Sequence, residues 1–255
     1  MPTPFRTDQA DATVAEAITI AGANGDSIGA YVARPITPGP HGAVVFIHHG
    51  PGFDDWSHEV ALKFARKGYI TVMPHLYHRF GPGTVEEVAA RRTAAGGVAD
   101  DQVVGDIQGA INHIRTIDGH NGKVGVIGPC SGGRQAFLVG TSIPDEVNAV
   151  VDLWGGGVVL TPEERTPMRP TSLVDNTAAL TAPLLGLFGN DDANPNPEMV
   201  NTMEAALQAA GKDYEFHRYD GAGHAFLCYD RPSYRQEQAM DGWSRVWDFF
   251  EKHLT

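Results

Sequence analysis

Residues 124–133 read VGVIGPCSGG, an apolar run that ends at a glycine and a proline, followed by a cysteine, a serine and two more glycines. The unbroken apolar stretch Val124–Ile127 has the character of a strand buried on both faces, and residues 131–140 follow a helical pattern. The segment is therefore a strand-turn-helix of the form Gly-x-nucleophile-x-Gly. In such an elbow the central residue takes a strained backbone conformation and presents its side chain at the C-terminal edge of the sheet. The turn leaves no room for side chains two positions before and two after the nucleophile. Counted from Cys130 those positions are Gly128 and Gly132; counted from Ser131 the first would be Pro129. The spacing selects Cys130, and Ser131 becomes the first helical residue, with its backbone N–H free to face an oxyanion. The helix N-terminus also favours thiolate over thiol.

Outward from this motif the chain alternates short apolar runs with amphipathic segments. Strands are expected around Ile18–Ile20, Ala30–Ala33, Ala43–Ile47, Tyr69–Met73, Ala149–Leu153, Leu184–Phe188 and Tyr214–Tyr219. Helices are expected over 59–67, 84–95, 100–117, 198–210 and 238–253, with Asp54, Asp55 and Trp56 opening a helix. Gly68 and Gly211 mark two of the helix ends. This β-α order calls for an α/β fold with a mostly parallel central sheet and helices on both faces. No linker divides the sequence, so one domain over residues 1–255 is expected. Residues 155–182 lack periodicity and form an irregular excursion near the mouth of the site.

Bulk composition narrows the function classes. The 255 residues are 42% hydrophobic and carry a formal charge of −12, with acidic residues spread along the chain. Nucleic acid and anionic membranes reward basic patches, so neither is an expected partner. A small-molecule substrate fits better, for a monomer or small homo-oligomer. The opening MPTPFRTDQADATVAEA lacks the apolar core of a signal peptide, and no run of about 18 apolar residues occurs. Two cysteines, Cys130 and Cys228, do not suggest a disulfide framework. A cytoplasmic setting is expected.

A thiol nucleophile needs a base, and the base an orienting acid. In the chain order of α/β-hydrolases these follow as nucleophile, acid, histidine. Gly189-Asn-Asp-Asp192 follows one buried strand and Gly221-Ala-Gly-His-Ala-Phe226 follows the last. His224 is the base, while Asp191 and Asp192 compete for the orienting role.

These residues resemble the dienelactone hydrolases (carboxymethylenebutenolidases), a cysteine-using branch of the α/β-hydrolases. The family's Gly-x-Cys-x-Gly-Gly is met by Gly128, Cys130, Gly132 and Gly133. Its Gly-x-x-Asp lands on Asp192, and its Gly-Ala-Gly-His-x-Phe on Gly221 to Phe226. Its Pro-x-Leu-Tyr-x-Arg is met by Pro74, Leu76, Tyr77 and Arg79. The likeness runs in order from about residue 15 to 253. It implies ester or lactone hydrolysis by Cys130, His224 and Asp192, with no metal or organic cofactor. The oxyanion would be held by the N–H groups of Ser131 and Gly50. The family also uses arginines to hold a substrate carboxylate, and Arg79, Arg91 and Arg92 are open choices; Tyr77 belongs to the same substrate-binding segment. Two residues depart from the pattern. His49 stands where the family usually has a Glu that engages the resting thiol, and His75 replaces the usual Asp.

His48, His49, His75 and His78 cluster at the ends of two strands, but no ligand spacing such as His-Glu-x-x-His is present, so pocket lining is expected rather than a metal. Trp154 is a candidate apolar wall for a ring-shaped substrate, with ordinary core as the alternative. Cys228 is expected to be buried filler. The competing function is a non-hydrolytic small-molecule binding or thiol-redox protein on the same scaffold.

Overall fold

The computed structural model describes residues 12–255; residues 1–11, on which the expectation of a leader-free start largely rests, lie outside the described residues. Eight strands form one sheet: β1 (Thr13–Ala21), β2 (Ser27–Pro35), β3 (His41–Phe46), β4 (Ile70–Pro74), β5 (His120–Pro129), β6 (Ala149–Leu153), β7 (Leu184–Gly189) and β8 (Tyr214–Tyr219). Their spatial order is β1-β2-β4-β3-β5-β6-β7-β8. β1 pairs antiparallel with β2, and β2 with β4; every later pairing is parallel. The α/β-hydrolase expectation is met.

Six α-helices cover the sheet: α1 (Asp55–Arg66), α2 (Val85–Ala94), α3 (Asp100–Ile114), α4 (Ser131–Ser142), α5 (Pro197–Ala209) and α6 (Gln236–Leu254). The period-two alternation of the strands divides the core. On β3, Val44 and Phe46 join the layer under α1 and α6, while Ala43, Val45 and Ile47 join the layer under α3 and α4. Burying both faces is what made the central strands read as continuous apolar runs. Phe64 of α1 meets Trp247 and Phe250 of α6 at 4.9 and 5.7 Å between ring centres. Truncating a buried ring of this kind costs about 3–5 kcal/mol.

Element ends follow local chemistry. Asp54 caps α1 by accepting from Ser57 N, so the helix expected to open at Asp54, Asp55 and Trp56 is continuous with the one expected over 59–67. Thr84 and Glu87 close a reciprocal capping box on α2. The leading strands are longer than expected because each carries the other's hydrogen bonds along the full hairpin. Residues 155–182 contain two 3-10 segments, Pro162–Glu164 and Leu173–Ala179, and otherwise irregular chain. Among the described residues no helix is long and apolar enough to cross a membrane.

Strand order reverses around β3, which lies between β4 and β5. Loops leaving the C-terminal ends of β3 and β5 therefore diverge to opposite sides and open a crevice, the usual ligand position in an open α/β sheet.

Candidate active site

Cys130 occupies the turn between β5 and α4 with φ 55° and ψ −120°, a backbone conformation that side-chain-bearing residues rarely adopt. A Cβ added to Gly128 would lie 2.4 Å from the Gly132 carbonyl carbon, and one on Gly132 would lie 2.2 Å from Ile47 O. Both glycines are thus steric requirements of the turn, at the two positions the spacing marked. Cys130 is partly exposed, whereas the Ser131 hydroxyl oxygen is buried.

The acid and histidine loops meet at the same edge. His224 Nδ1 lies 2.8 Å from Asp192 Oδ2. Asp192 is buried and its other oxygen accepts from Asn194 N at 2.9 Å, while the neighbouring Asp191 is exposed. Of the two acids, Asp192 is the one that reaches the ring. Burial alone would lower the pKa of His224, but the hydrogen-bonded Asp192 and the neighbouring Cys130 raise it to about 10.

Among the described residues neither Gly50 N nor Ser131 N donates to any acceptor, so both candidate oxyanion donors are free. The Gly50 loop is tightly held. Tyr77 Oη donates to Gly50 O at 3.2 Å and His49 O at 3.4 Å, and Arg92 donates to Gly50 O at 2.8 Å.

The structure separates the three candidate arginines. Arg79 makes a two-pronged pair with fully buried Asp106, at 2.8 and 3.0 Å, and bonds Asp26 at 2.8 Å. Its donors are consumed in tying the β1–β2 connection to α3, so it is not free to hold a substrate. Arg91 donates to the carbonyls of Phe80, Gly81 and Pro82 and fastens that turn instead. Only Arg92 reaches the cavity of about 260 Å³ beside Ser131, which Tyr77, Arg134, Gln135 and Arg169 also line.

Two of those guanidiniums were not anticipated. Arg134 on α4 is neutralised by Asp100, at 2.6 and 2.9 Å. Arg169, from the irregular excursion, has no side-chain partner among the described residues; burial and the charges of Arg134 and Arg92 pull its pKa down. An aperiodic stretch gives no signal for where its side chains go, which is why Arg169 escaped the sequence reading. Asp152 escaped it too, although a carboxylate inside the apolar strand Ala149–Leu153 was a visible anomaly. It is fully buried; Oδ1 accepts from Gly155 N at 2.6 Å, Oδ2 has no partner, and burial raises its pKa to about 7.

Two further expectations change. His49 does not bond Cys130: its Nε2 is 2.5 Å from Asp54 Oδ2, and its ring packs 5.5 Å from that of Trp56. The aspartate that caps α1 therefore claims the imidazole. Trp154 is fully buried, 5.1 Å from Phe226 and edge-on to His224 at 6.4 Å, so it backs the histidine loop rather than lining the cavity. Cys228 is buried and its thiol pKa is pushed well up by desolvation, as expected of filler. Burial lowers the pKa of His48 to about 3 and of His75 to about 4, so both are neutral rings, packed around Phe53. No group of three His, Cys, Asp or Glu among the described residues has metal-binding geometry.

Comparison with known proteins places this geometry in context. A family model described as the dienelactone hydrolase family matches residues 28–254. A Yersinia pestis protein provisionally named carboxymethylenebutenolidase is 33% identical, covering 99% of this chain and 96% of its own. A similarly named protein from Methylorubrum extorquens is 32% identical over 89% of this chain and 77% of its own. The crystal structure of a provisionally assigned dienelactone hydrolase from Klebsiella pneumoniae superposes with a TM-score of 0.86 at 30% identity, covering 95% of this chain and all of that one.

Proposed function

The chain belongs to the dienelactone hydrolase family, and we propose that it hydrolyses a small lactone or ester through a thioester on Cys130. The observation that carries this reading is the grouping of the strained Cys130 with His224 and the buried Asp192 at one sheet edge.

The thiolate of Cys130 attacks the carbonyl carbon, forming a C–S bond as the carbonyl π electrons move to oxygen. The N–H groups of Ser131 and Gly50 receive that charge; donors fixed before reaction need no reorganisation when it develops. Collapse breaks the ester C–O bond, and the departing alkoxide takes the proton from His224 Nε2. In a lactone the alcohol stays tethered to the acyl group. His224, now neutral, takes a proton from water, whose oxygen displaces the thiolate through a second oxyanion. Asp192 holds the Nδ1–H tautomer throughout and stabilises the imidazolium. Each half of the cycle restores the proton the other consumed.

The cavity beside Ser131 supports a substrate that carries an anion. Arg134 is already paired with Asp100, which leaves Arg92 and Arg169 as the uncompensated cations on its wall. In a chain with a net charge of −12 this is a local reversal of sign. It narrows the arginine expectation to Arg92 and adds Arg169.

The test is hydrolysis of p-nitrophenyl acetate by Cys130→Ala and Ser131→Ala. The first is expected to lose turnover while keeping its circular dichroism, and the second to retain most of it. Undiminished turnover in Cys130→Ala would refute the reading. A wild-type protein that oxidises or binds ligand without turnover would favour the non-hydrolytic alternative.

A further inference from the structure

His48 lies at the root of the oxyanion loop, is fully buried, and has no part in the reaction described above. Its two ring nitrogens nevertheless have opposite and complementary neighbours. Nε2 lies 3.2 Å from Leu76 N, whose N–H it shares with Pro74 O at 3.1 Å. Nδ1 lies 3.0 Å from His49 O. An N–H facing Nε2 requires the lone pair there, and a carbonyl oxygen facing Nδ1 requires the proton there. The tautomer is thereby fixed as Nδ1–H. Because burial keeps the ring neutral at any working pH, it cannot donate at both ends.

His49 O is the carbonyl of the peptide unit whose N–H belongs to Gly50. That oxygen accepts from His48 Nδ1 at 3.0 Å, from Gly52 N at 3.0 Å and from Tyr77 Oη at 3.4 Å. The N–H on the other side of the same peptide plane has no acceptor among the described residues. We propose that His48 is a positioning residue that sets the orientation and donor strength of the Gly50 N–H in the oxyanion hole. The inference rests on the reading of Gly50 as an oxyanion donor.

Two effects contribute. Each hydrogen bond to a carbonyl polarises its peptide and strengthens the opposite N–H, by about 10–30% per bond. Orientation matters more, because a planar peptide anchored at its oxygen cannot rotate its N–H away from the reacting carbonyl. The link also joins the β3 loop to the β4 loop through Leu76, so the hole is set from the far side of the switch point.

Two amides separate the nitrogens. His48→Asn places an N–H near the Nδ1 position and loses the acceptor for Leu76 N. His48→Gln keeps an acceptor near the Nε2 position and loses the donor to His49 O. Each variant removes one bond of the pair, so general loosening of the loop affects both alike. His48→Gln is expected to lower kcat for p-nitrophenyl acetate by about tenfold, and His48→Asn by no more than about threefold. Inhibition by a trifluoromethyl ketone, which forms an oxyanion on the thiol, should weaken in His48→Gln by the same factor as kcat. Alkylation of Cys130 by iodoacetamide, which displaces iodide and forms no oxyanion, should keep its rate; Cys228 is buried and silent.

Equal losses in the two variants would overturn the proposal, as would an unchanged kcat in His48→Gln, or an alkylation rate that falls in step with kcat. Full activity in Cys130→Ala would instead remove the underlying reading, whatever the His48 variants do.

Discussion

The elbow at residues 128–133 and the excursion at 155–182 face the same cavity, yet different physics holds them. At the elbow, close approach decides: Gly128 and Gly132 are small because backbone carbonyl atoms stand 2.4 and 2.2 Å from where a Cβ would go, and Gly133 because Asp152 Oδ1 stands 2.3 Å away. In the excursion, the irregular chain is held by scattered hydrogen bonds, backbone ones such as Val174 N to Val158 O and side-chain ones such as Arg134 Nε to Gly157 O and Leu160 N to Ser172 Oγ. The elbow carries Cys130 and Ser131, and the excursion carries Arg169. On the proposed reading, chemistry is built on the sterically locked turn, and recognition of the substrate's charge on the irregular chain beside it.

Substitutions in the two regions should differ in kind. Gly132→Ala is expected to have the largest effect. Its Cβ would collide with Ile47 O, so β3 and α4 must separate, at a cost of about 1–3 kcal/mol in stability. Activity should fall by about a hundredfold or more as the Ser131 N–H leaves its place. Thermal unfolding and ester hydrolysis check both numbers, and near-wild-type values would mean the elbow is softer than its contacts imply. Arg169→Ala should leave stability unchanged, since the guanidinium has no side-chain partner among the described residues. It should raise KM about tenfold for an ester bearing a carboxylate, the worth of one charge-assisted hydrogen bond, and leave KM for p-nitrophenyl acetate alone. A rise for both substrates would show that the excursion shapes the site as a whole.

The smallest effect is expected behind the elbow, where Asp152 joins the two regions by accepting from Gly155 N. Its carboxyl pKa is raised to about 7 from 3.8. Between those values the folded chain holds a proton that the unfolded chain has lost, so stability falls as pH rises through that window. Asp152→Asn keeps an acceptor and cannot ionise. Urea unfolding should show the variant gaining on wild type by about 1 kcal/mol or more between pH 4 and pH 8. A difference independent of pH would mean that Asp152 does not titrate there.

The same contrast decides what the sequence made legible. Backbone constraints leave marks: glycines at fixed offsets, apolar runs of strand length and acidic helix starts marked the sheet, the helices and the loops that carry Cys130 and His224, while the preference for Asp192 over Asp191 came from the family resemblance. Side-chain commitments leave fewer, the buried Asp152 in an apolar strand being one. Arg79 matches a family motif, yet its donors are consumed by Asp106, a residue on α3 distant in sequence. His49 stands where the family usually has a Glu that engages the thiol, but Asp54, five residues on, holds it. Trp154 stands at a strand end that faces the site, and its positive φ of 43° accompanies a side chain packed inward on Phe226. Each of these outcomes depends on a side-chain pairing that neither spacing nor periodicity encodes.

The thioester is the step on which the functional reading stands. Wild-type protein mixed with p-nitrophenyl acetate and quenched in acid within the first turnover should carry the mass of one added acetyl group, and peptide mapping should place it on Cys130. An acetyl group on Ser131, or turnover with no acylated protein at any time, would contradict it.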